Sequence, residues 1–264
     1  MALQIQLNNK FFSQYETVGD VLDNTWPRSA MIVELVEMID HIGWEYWKKP
    51  EFKVKVGDIF EINSGNIDHH NPTQRKIMQA RMELIDVLHF YISDLQKRVI
   101  SHNLTSNNDT PWLQYEEKLE YDSVVDVIEN FLTHLNEPDC DEYLKASKSS
   151  PVFCEEDFYN MVRLMSSYTI NRSEFNIQLT KLFSSLGMSV DLVERLYVGK
   201  NGLNHFRRSM GEGKVGCSYQ RIWVSGKEDN EHLSELIYDK KVVDFNTPEK
   251  VSIRLKEVYE EIHS

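Results

Sequence analysis

Cysteine, glycine and proline are all scarce in this chain. The three cysteines among 264 residues, Cys140, Cys154 and Cys217, are odd in number and widely spaced. They form neither a disulfide framework nor a zinc ligand set, and read as reduced thiols of an intracellular protein. Eleven glycines and seven prolines supply few of the turn signals that punctuate a β-protein. Positive charge is also short. Twenty-nine Lys and Arg face 42 Asp and Glu, a formal net charge of −13. A general nucleic-acid binder needs a basic footprint, so no nucleic-acid polymer is expected as a partner. A small anionic ligand remains compatible, held by a local Lys/Arg cluster or through a divalent cation. No apolar run approaches the length of a membrane span, and "MALQIQLNNKFF" lacks the basic-then-apolar pattern of a signal peptide. No membrane association is expected. Zinc hydrolysis is disfavoured too, because no H-E-x-x-H occurs and the nine histidines are scattered. "DHHN" at 68–71 matches the start of a phosphoesterase signature, but that signature needs aspartates following strands, and strand signals are missing.

What the chain does have is helical spacing, and the expected fold is all-α in one domain, 1–264. "RSAMIVELVEMIDHIGWEYWKK" predicts a helix with Ser29 as N-cap and Gly43 near its end. Residues 49–71, rich in Gly, Asn and Pro, predict a flexible loop, with room for a short strand. Asn71-Pro72-Thr73 opens a long helix whose apolar residues Ile77, Leu84, Leu88, Tyr91, Leu95 and Val99 keep its period. "SHNLTSNNDTPW" interrupts it. "YDSVVDVIENFLTHL" predicts a helix capped by Asp122 or Ser123, and "EEDFYNMVRLMSSYTI", "FNIQLTKLFSSLG" and "MSVDLVERLYVGKNGLNHFRRSM" predict three more. "GEGKVGCSY" reads as a flexible glycine-rich segment, and "TPEKVSIRLKEVYEEIHS" as a capped closing helix.

Two carboxylate pairs stand out. Glu34 and Glu37 lie three apart in the first strong helix, Glu83 and Asp86 three apart in the long one. Residues at that spacing share a helix face, so two packed helices can bring all four together. A single such pair is commonly a solvated surface face. Here Met31, Ile32, Val33, Leu35, Val36 and Met38 surround the first pair, which favours a buried setting. Four close carboxylates repel, and a hard divalent cation relieves that: Mg²⁺ and Mn²⁺ take oxygen ligands, and two such ions can clamp a phosphate and activate a water. The stripe continues to His89 and Phe90. Phe90 is either core packing or a wall on which a flat base stacks.

A second cluster follows. Lys200, Asn204 and Arg207 share one side of a helix, and Lys214 and Tyr219 follow on the glycine-rich segment. They form a phosphate clamp, or the cations serve the helix dipole.

"ELVEMIDHIGWEYWKK", "RMELIDVLHF", "YVGKNGLNHFR" and "GKEDNEHL", in that order, resemble the dimeric all-α dUTPases of the MazG-like nucleoside triphosphate pyrophosphatase superfamily, which includes bacteriophage dCTPase/dUTPase enzymes. The resemblance runs to about residue 235, with a divergent insertion at about 102–170. It implies a helical, bundle-like homodimer hydrolysing dUTP to dUMP and diphosphate, with dUDP open as a second substrate, in the cytoplasm of a bacterial or bacteriophage-infected cell. It implies Mg²⁺, or Mn²⁺, two or more ions per site, on Glu34, Glu37, Glu83 and Asp86, with Glu37 activating the water. "LQIQLN" resembles the family's uracil-reading segment, which points to Gln4 and Asn8. Trp47, His89 and Phe90 match positions around base and sugar. Lys200, Asn204, Arg207, Lys214 and Tyr219 match the triphosphate and sugar side. "GEGKVGCSY" departs from the family's G-Y-K-x-G-x-Y. Gln and Asn amides can serve uracil or cytosine, so a dCTPase or dual activity is the alternative, and an inactive nucleotide- or protein-binding helical module the non-enzymatic one.

Overall fold

A 33-residue helix organises the molecule because almost every position in its middle is covered on all sides. The computed structural model describes residues 26–42, 54–104, 121–135, 172–238 and 246–264. Eight helices lie among them: α1 Trp26–Ile42, α2 Val56–Asn63, α3 Pro72–Leu104, α4 Tyr121–Leu135, α5 Arg172–Ser185, α6 Val190–Ser209, α7 Asp229–Tyr238 and α8 Pro248–His263. No strand occurs among the described residues; Ile222 and Glu228 form an isolated bridge. The fold is all-α, as the helical spacing predicts.

α3 starts where expected. Asn71 Oδ1 accepts from the backbone N–H of Thr73 (2.9 Å) and Gln74 (3.3 Å), and Pro72 takes the first turn, where a missing N–H costs nothing. α1, α2, α4, α6 and α7 all pack against α3, while α8 lies on α6. Ile77, Leu84, Ile85, Leu88 and Tyr91 are buried in that ring. Arg81 is fully buried at its centre. Its guanidinium donates to the Leu186 carbonyl (2.9 Å), the Asn63 amide oxygen (2.8 Å) and the Tyr238 hydroxyl (2.9 Å). One side chain thus ties α3 to α2, α7 and the turn after α5, with its N–H groups satisfied as burial requires.

α6 carries two glycines in mid-helix, where Ala would be intrinsically more stable. Close packing explains them. A Cβ at Gly202 would stand 2.4 Å from Val251 Cβ and 2.8 Å from the Pro248 carbonyl, and one at Gly199 would stand 2.5 Å from Ile237 Cδ1. The glycines let α7 and α8 close on α6 and hold Lys200, which lies between them in sequence.

Several expected boundaries move. α1 begins at Trp26, so Ser29 lies inside it rather than at its cap, with Pro27 in the first turn, a place proline accepts readily. Ile32, Val33 and Val36 are 45–56% exposed, so only Met31, Leu35 and Met38 of the apolar residues flanking Glu34 and Glu37 are buried. Residues 56–63, expected in the 49–71 loop, form α2. Val56, Ile59 and Ile62 bury one face at helical spacing, and the Asp58 carboxylate accepts from the Lys55 N–H at 2.8 Å. α4 begins at Tyr121, ahead of both predicted caps. α3 runs to Leu104, into the expected interruption. The helix expected over 155–170 lies outside the described residues. "DNEHLSELIY" is helical as α7, which the sequence reading left unassigned.

Candidate active site

α1 and α3 lie side by side, and their facing sides carry the acids. One carboxylate oxygen each from Glu34, Glu83 and Asp86 falls within 4.8 Å of the others. Glu37, one turn further along α1, lines the same cavity, of about 860 Å³. His41, one turn beyond Glu37, places Nε2 3.4 Å from Glu83 Oε1.

Like charges this close change their own acidity. Burial first, then the Asp86 charge and the contact with Glu83, push the Glu34 carboxyl up to about 9. Burial and the Glu83 charge raise Glu37 as well. Burial acts on Asp86 in the same direction. There it is outweighed by the Lys200 ammonium, at 2.7 Å, and by His89, and Asp86 is held below the usual carboxylate range. On the protein's own charges alone Glu34 therefore keeps its proton at neutral pH. A hard divalent cation fits this donor set, because it allows all three carboxylates to ionise together.

Asp86 is braced from behind. His89 Nδ1 lies 3.5 Å from Asp86 Oδ1, and its Nε2 3.0 Å from Asn201 Nδ2. Asn201 Nδ2 also donates to the Tyr197 carbonyl (3.0 Å), which fixes that amide's orientation. Nε2 must then accept, so the proton sits on Nδ1, facing Asp86. Burial lowers the His89 pKa despite the neighbouring carboxylate, which keeps the ring neutral. Asn201 Oδ1 is buried with no partner.

α6 brings two cations to the same cavity. Lys200 of α6 bridges Asp86 and the Asn230 amide oxygen (2.9 Å). Arg207 borders the cavity but is held by Asp229, with Nε–Oδ2 at 2.8 Å and Nη2–Oδ1 at 2.7 Å. Tyr219 donates to the same carboxylate at 2.5 Å. Burial acts against the charges of this pair, yet the mutual contact wins: Arg207 is raised and Asp229 lowered.

Of the residues expected from the sequence, Glu34, Glu37, Glu83, Asp86, Lys200 and Arg207 border the one cavity. Lys214, Tyr219 and Asn204 do not. Lys214 is exposed on the glycine-rich segment, Tyr219 is bound to Asp229, and Asn204 is half-buried on α6. Phe90 packs edge-on against Trp26, ring centres 5.5 Å apart, and His89 sits behind Asp86; neither lines the cavity. Gln4, Asn8 and Trp47 lie outside the described residues. The cavity also gathers Arg75, Lys76, Arg221 and Asn230, which the sequence reading missed. Arg75 and Lys76 stand two helical turns before Glu83, a spacing legible in the sequence. Arg221 sits on irregular chain and carries no periodic signal.

The family model described as dUTPase matches residues 69–211, more than half of the chain. The match takes in Glu83, Asp86, Lys200 and Arg207, and begins after α1, which carries the other two carboxylates. No curated protein matches the chain.

Proposed function

The chain belongs to the dUTPase family, and from that membership we propose that it is a cation-dependent pyrophosphohydrolase converting dUTP and water to dUMP and diphosphate, acting as a homodimer in the cytoplasm. The family supports a nucleotide pyrophosphatase of the dUTP/dCTP type. The observation that carries the reading further is the convergence of Glu34, Glu83 and Asp86 within 4.8 Å beside Lys200. Divalent cations held there, Mg²⁺ or Mn²⁺ and two or more per site, would supply positive charge against the phosphates and a more acidic water.

The side chains have separate tasks. Glu37 is the least enclosed of the four carboxylates and borders the cavity, and burial raises its basicity. It takes the proton from the attacking water. The water oxygen bonds to the α-phosphorus, and the bond to the α–β bridging oxygen breaks, releasing diphosphate. Lys200 holds Asp86 in line and sets a positive charge beside the phosphate chain. Arg207 adds charge at the cavity edge, and Asp229 fixes its position. Base choice falls to Gln4 and Asn8, with Trp47, Phe90 and Asn204 assigned to the base and sugar.

The test is kcat/KM for dUTP, dCTP, dTTP and dUDP with Mg²⁺. Preference for dUTP supports the reading; preference for dCTP, or equal use, moves it to a dCTPase or dual enzyme. No turnover of any nucleotide leaves a helical binding module.

A further inference from the structure

We propose that Arg75, Lys76 and Arg221 form a subsite for the terminal phosphates of the substrate. The inference rests on the pyrophosphohydrolase reading above and assigns a task to residues which that reading leaves unused.

Arg75 and Lys76 lie on the cavity side of α3 with Gln79 and Glu83. They stand eight and seven residues before Glu83, roughly 10–12 Å along the axis at 1.5 Å per residue. A monophosphate at the carboxylates is too short to reach them; a triphosphate met by a long basic side chain is not. Arg221 enters the cavity from another element, the irregular chain between α6 and α7. Cations from two elements thus line the same cavity as the carboxylate cluster, beside Glu228 and Glu231.

Stability does not explain this placement. Arg75 and Lys76 lie at the start of α3, whose first turn holds no acid, and the helix dipole disfavours positive charge there. Both arginines rest on surface carboxylates. Arg75 Nη1 lies 3.5 Å from Glu231 Oε1, and Arg221 Nε 2.7 Å from Glu212 Oε1. The arginine side chains are 44% and 59% exposed, and pairs this exposed contribute little. A phosphate, offering charged bidentate acceptors, displaces such carboxylates readily. Glu231 and Glu212 then compete with the phosphates for the arginines, and their removal frees both cations.

The test combines Arg75→Gln, Lys76→Gln and Arg221→Gln in one chain, with circular dichroism to establish that it folds. KM for dUTP should rise roughly tenfold or more, with a much smaller effect on kcat, and inhibition by inorganic diphosphate should weaken in step. Inhibition by dUMP should change less than twofold. Glu212→Gln with Glu231→Gln should do the reverse and lower KM. An unchanged KM, or dUMP weakened as much as diphosphate, overturns the subsite. Calorimetric binding of inorganic tripolyphosphate with Mg²⁺ separates the two readings. If the wild-type chain hydrolyses nothing yet binds tripolyphosphate, and the triple variant does not, the subsite stands while the enzymatic reading falls. Equal binding by both chains overturns the subsite whatever the activity.

Discussion

Two charged groups border the same cavity, and they are built on opposite terms. Arg207 and Asp229 satisfy each other: two hydrogen bonds join them, Tyr219 adds a third to Asp229, and Asp229 is fully buried. By contrast, Glu34, Glu83 and Asp86 crowd three like charges together, with Lys200 as the close cation and Glu34 pushed up to about 9. The basic group is complete within the protein; the acidic one is not. A strong charge pair in a cavity can be architecture, whereas an uncompensated set of like charges needs something from outside.

The sharpest way to test the acidic side is Glu37→Gln. The amide keeps the size of the side chain and removes its ability to accept the water's proton. Turnover of dUTP should fall by roughly 10²–10⁴-fold, the range of general-base catalysis. Thermal unfolding should stay within a degree or two, because Glu37 is exposed on α1. A variant with wild-type kcat would remove Glu37 from the mechanism.

Arg207→Met should do the opposite and report on architecture. It leaves Asp229 buried and unpaired, which costs about 3–5 kcal/mol. Urea unfolding should register that loss, and Arg207→Met with Asp229→Leu should recover much of it. Acid should reach the same contact in the wild type. Asp229 is lowered in the fold, so its contribution is present above about pH 4, the unfolded value, and disappears as pH falls through the depressed folded value. Equal stability of Arg207→Met and wild type would show that the pair is not the prop its geometry describes.

The long helix and the carboxylate pairs were legible because both follow helical periodicity: apolar residues at one spacing, acids three apart. The α1–α3 packing then does what two acid-bearing helix faces imply. α2 was hidden by its Gly- and Asn-rich flanks, although Val56, Ile59 and Ile62 already spell one face of a short helix. α7 was hidden by polarity, yet Glu228 and Glu231 are spaced as a capping box, and the Glu228 N–H donates to Glu231 Oε2 at 3.0 Å. The basic cluster was half legible. Lys200 and Arg207 are seven apart on α6 and share its cavity side, whereas Lys214 and Tyr219 follow on irregular chain whose course no period predicts. The exposure of Ile32, Val33 and Val36 was not legible either, since apolar residues on every side of a segment do not say which side has a neighbour.

A smaller effect belongs behind the acidic site. His89 touches Asp86 from the side away from the cavity and is oriented by Asn201. It is a positioning residue. Changing it should weaken Mn²⁺ binding by roughly 10–100-fold, as for partners that orient metal ligands elsewhere. The discriminating pair is His89→Gln and Asn201→Ala. Both should raise the Mn²⁺ concentration for half-maximal activity while kcat at saturating Mn²⁺ changes less. A rise in KM for dUTP alone would instead place His89 against the sugar or base.

The mildest perturbation is pH, and it separates the two groups by sign. Glu34 is raised, to about 9 against 4.5 for the free side chain, so between those values the folded chain binds more protons than the unfolded one. Stability of the cation-free protein should therefore fall as pH rises through that window, the reverse of the Asp229 effect on the acid side. Adding Mn²⁺ or Mg²⁺ compensates the charge that opposes folding, so the gain in Tm should grow from pH 5 towards pH 9. Binding should also release a proton, which calorimetry in buffers of different ionisation enthalpy detects. Glu34→Gln should reduce both the proton release and the slope, leaving the smaller share that the raised Glu37 contributes. A cation-induced Tm gain that is flat with pH would mean that Glu34 is already ionised, and that Lys200 neutralises the cluster more fully than its 2.7 Å contact with Asp86 implies.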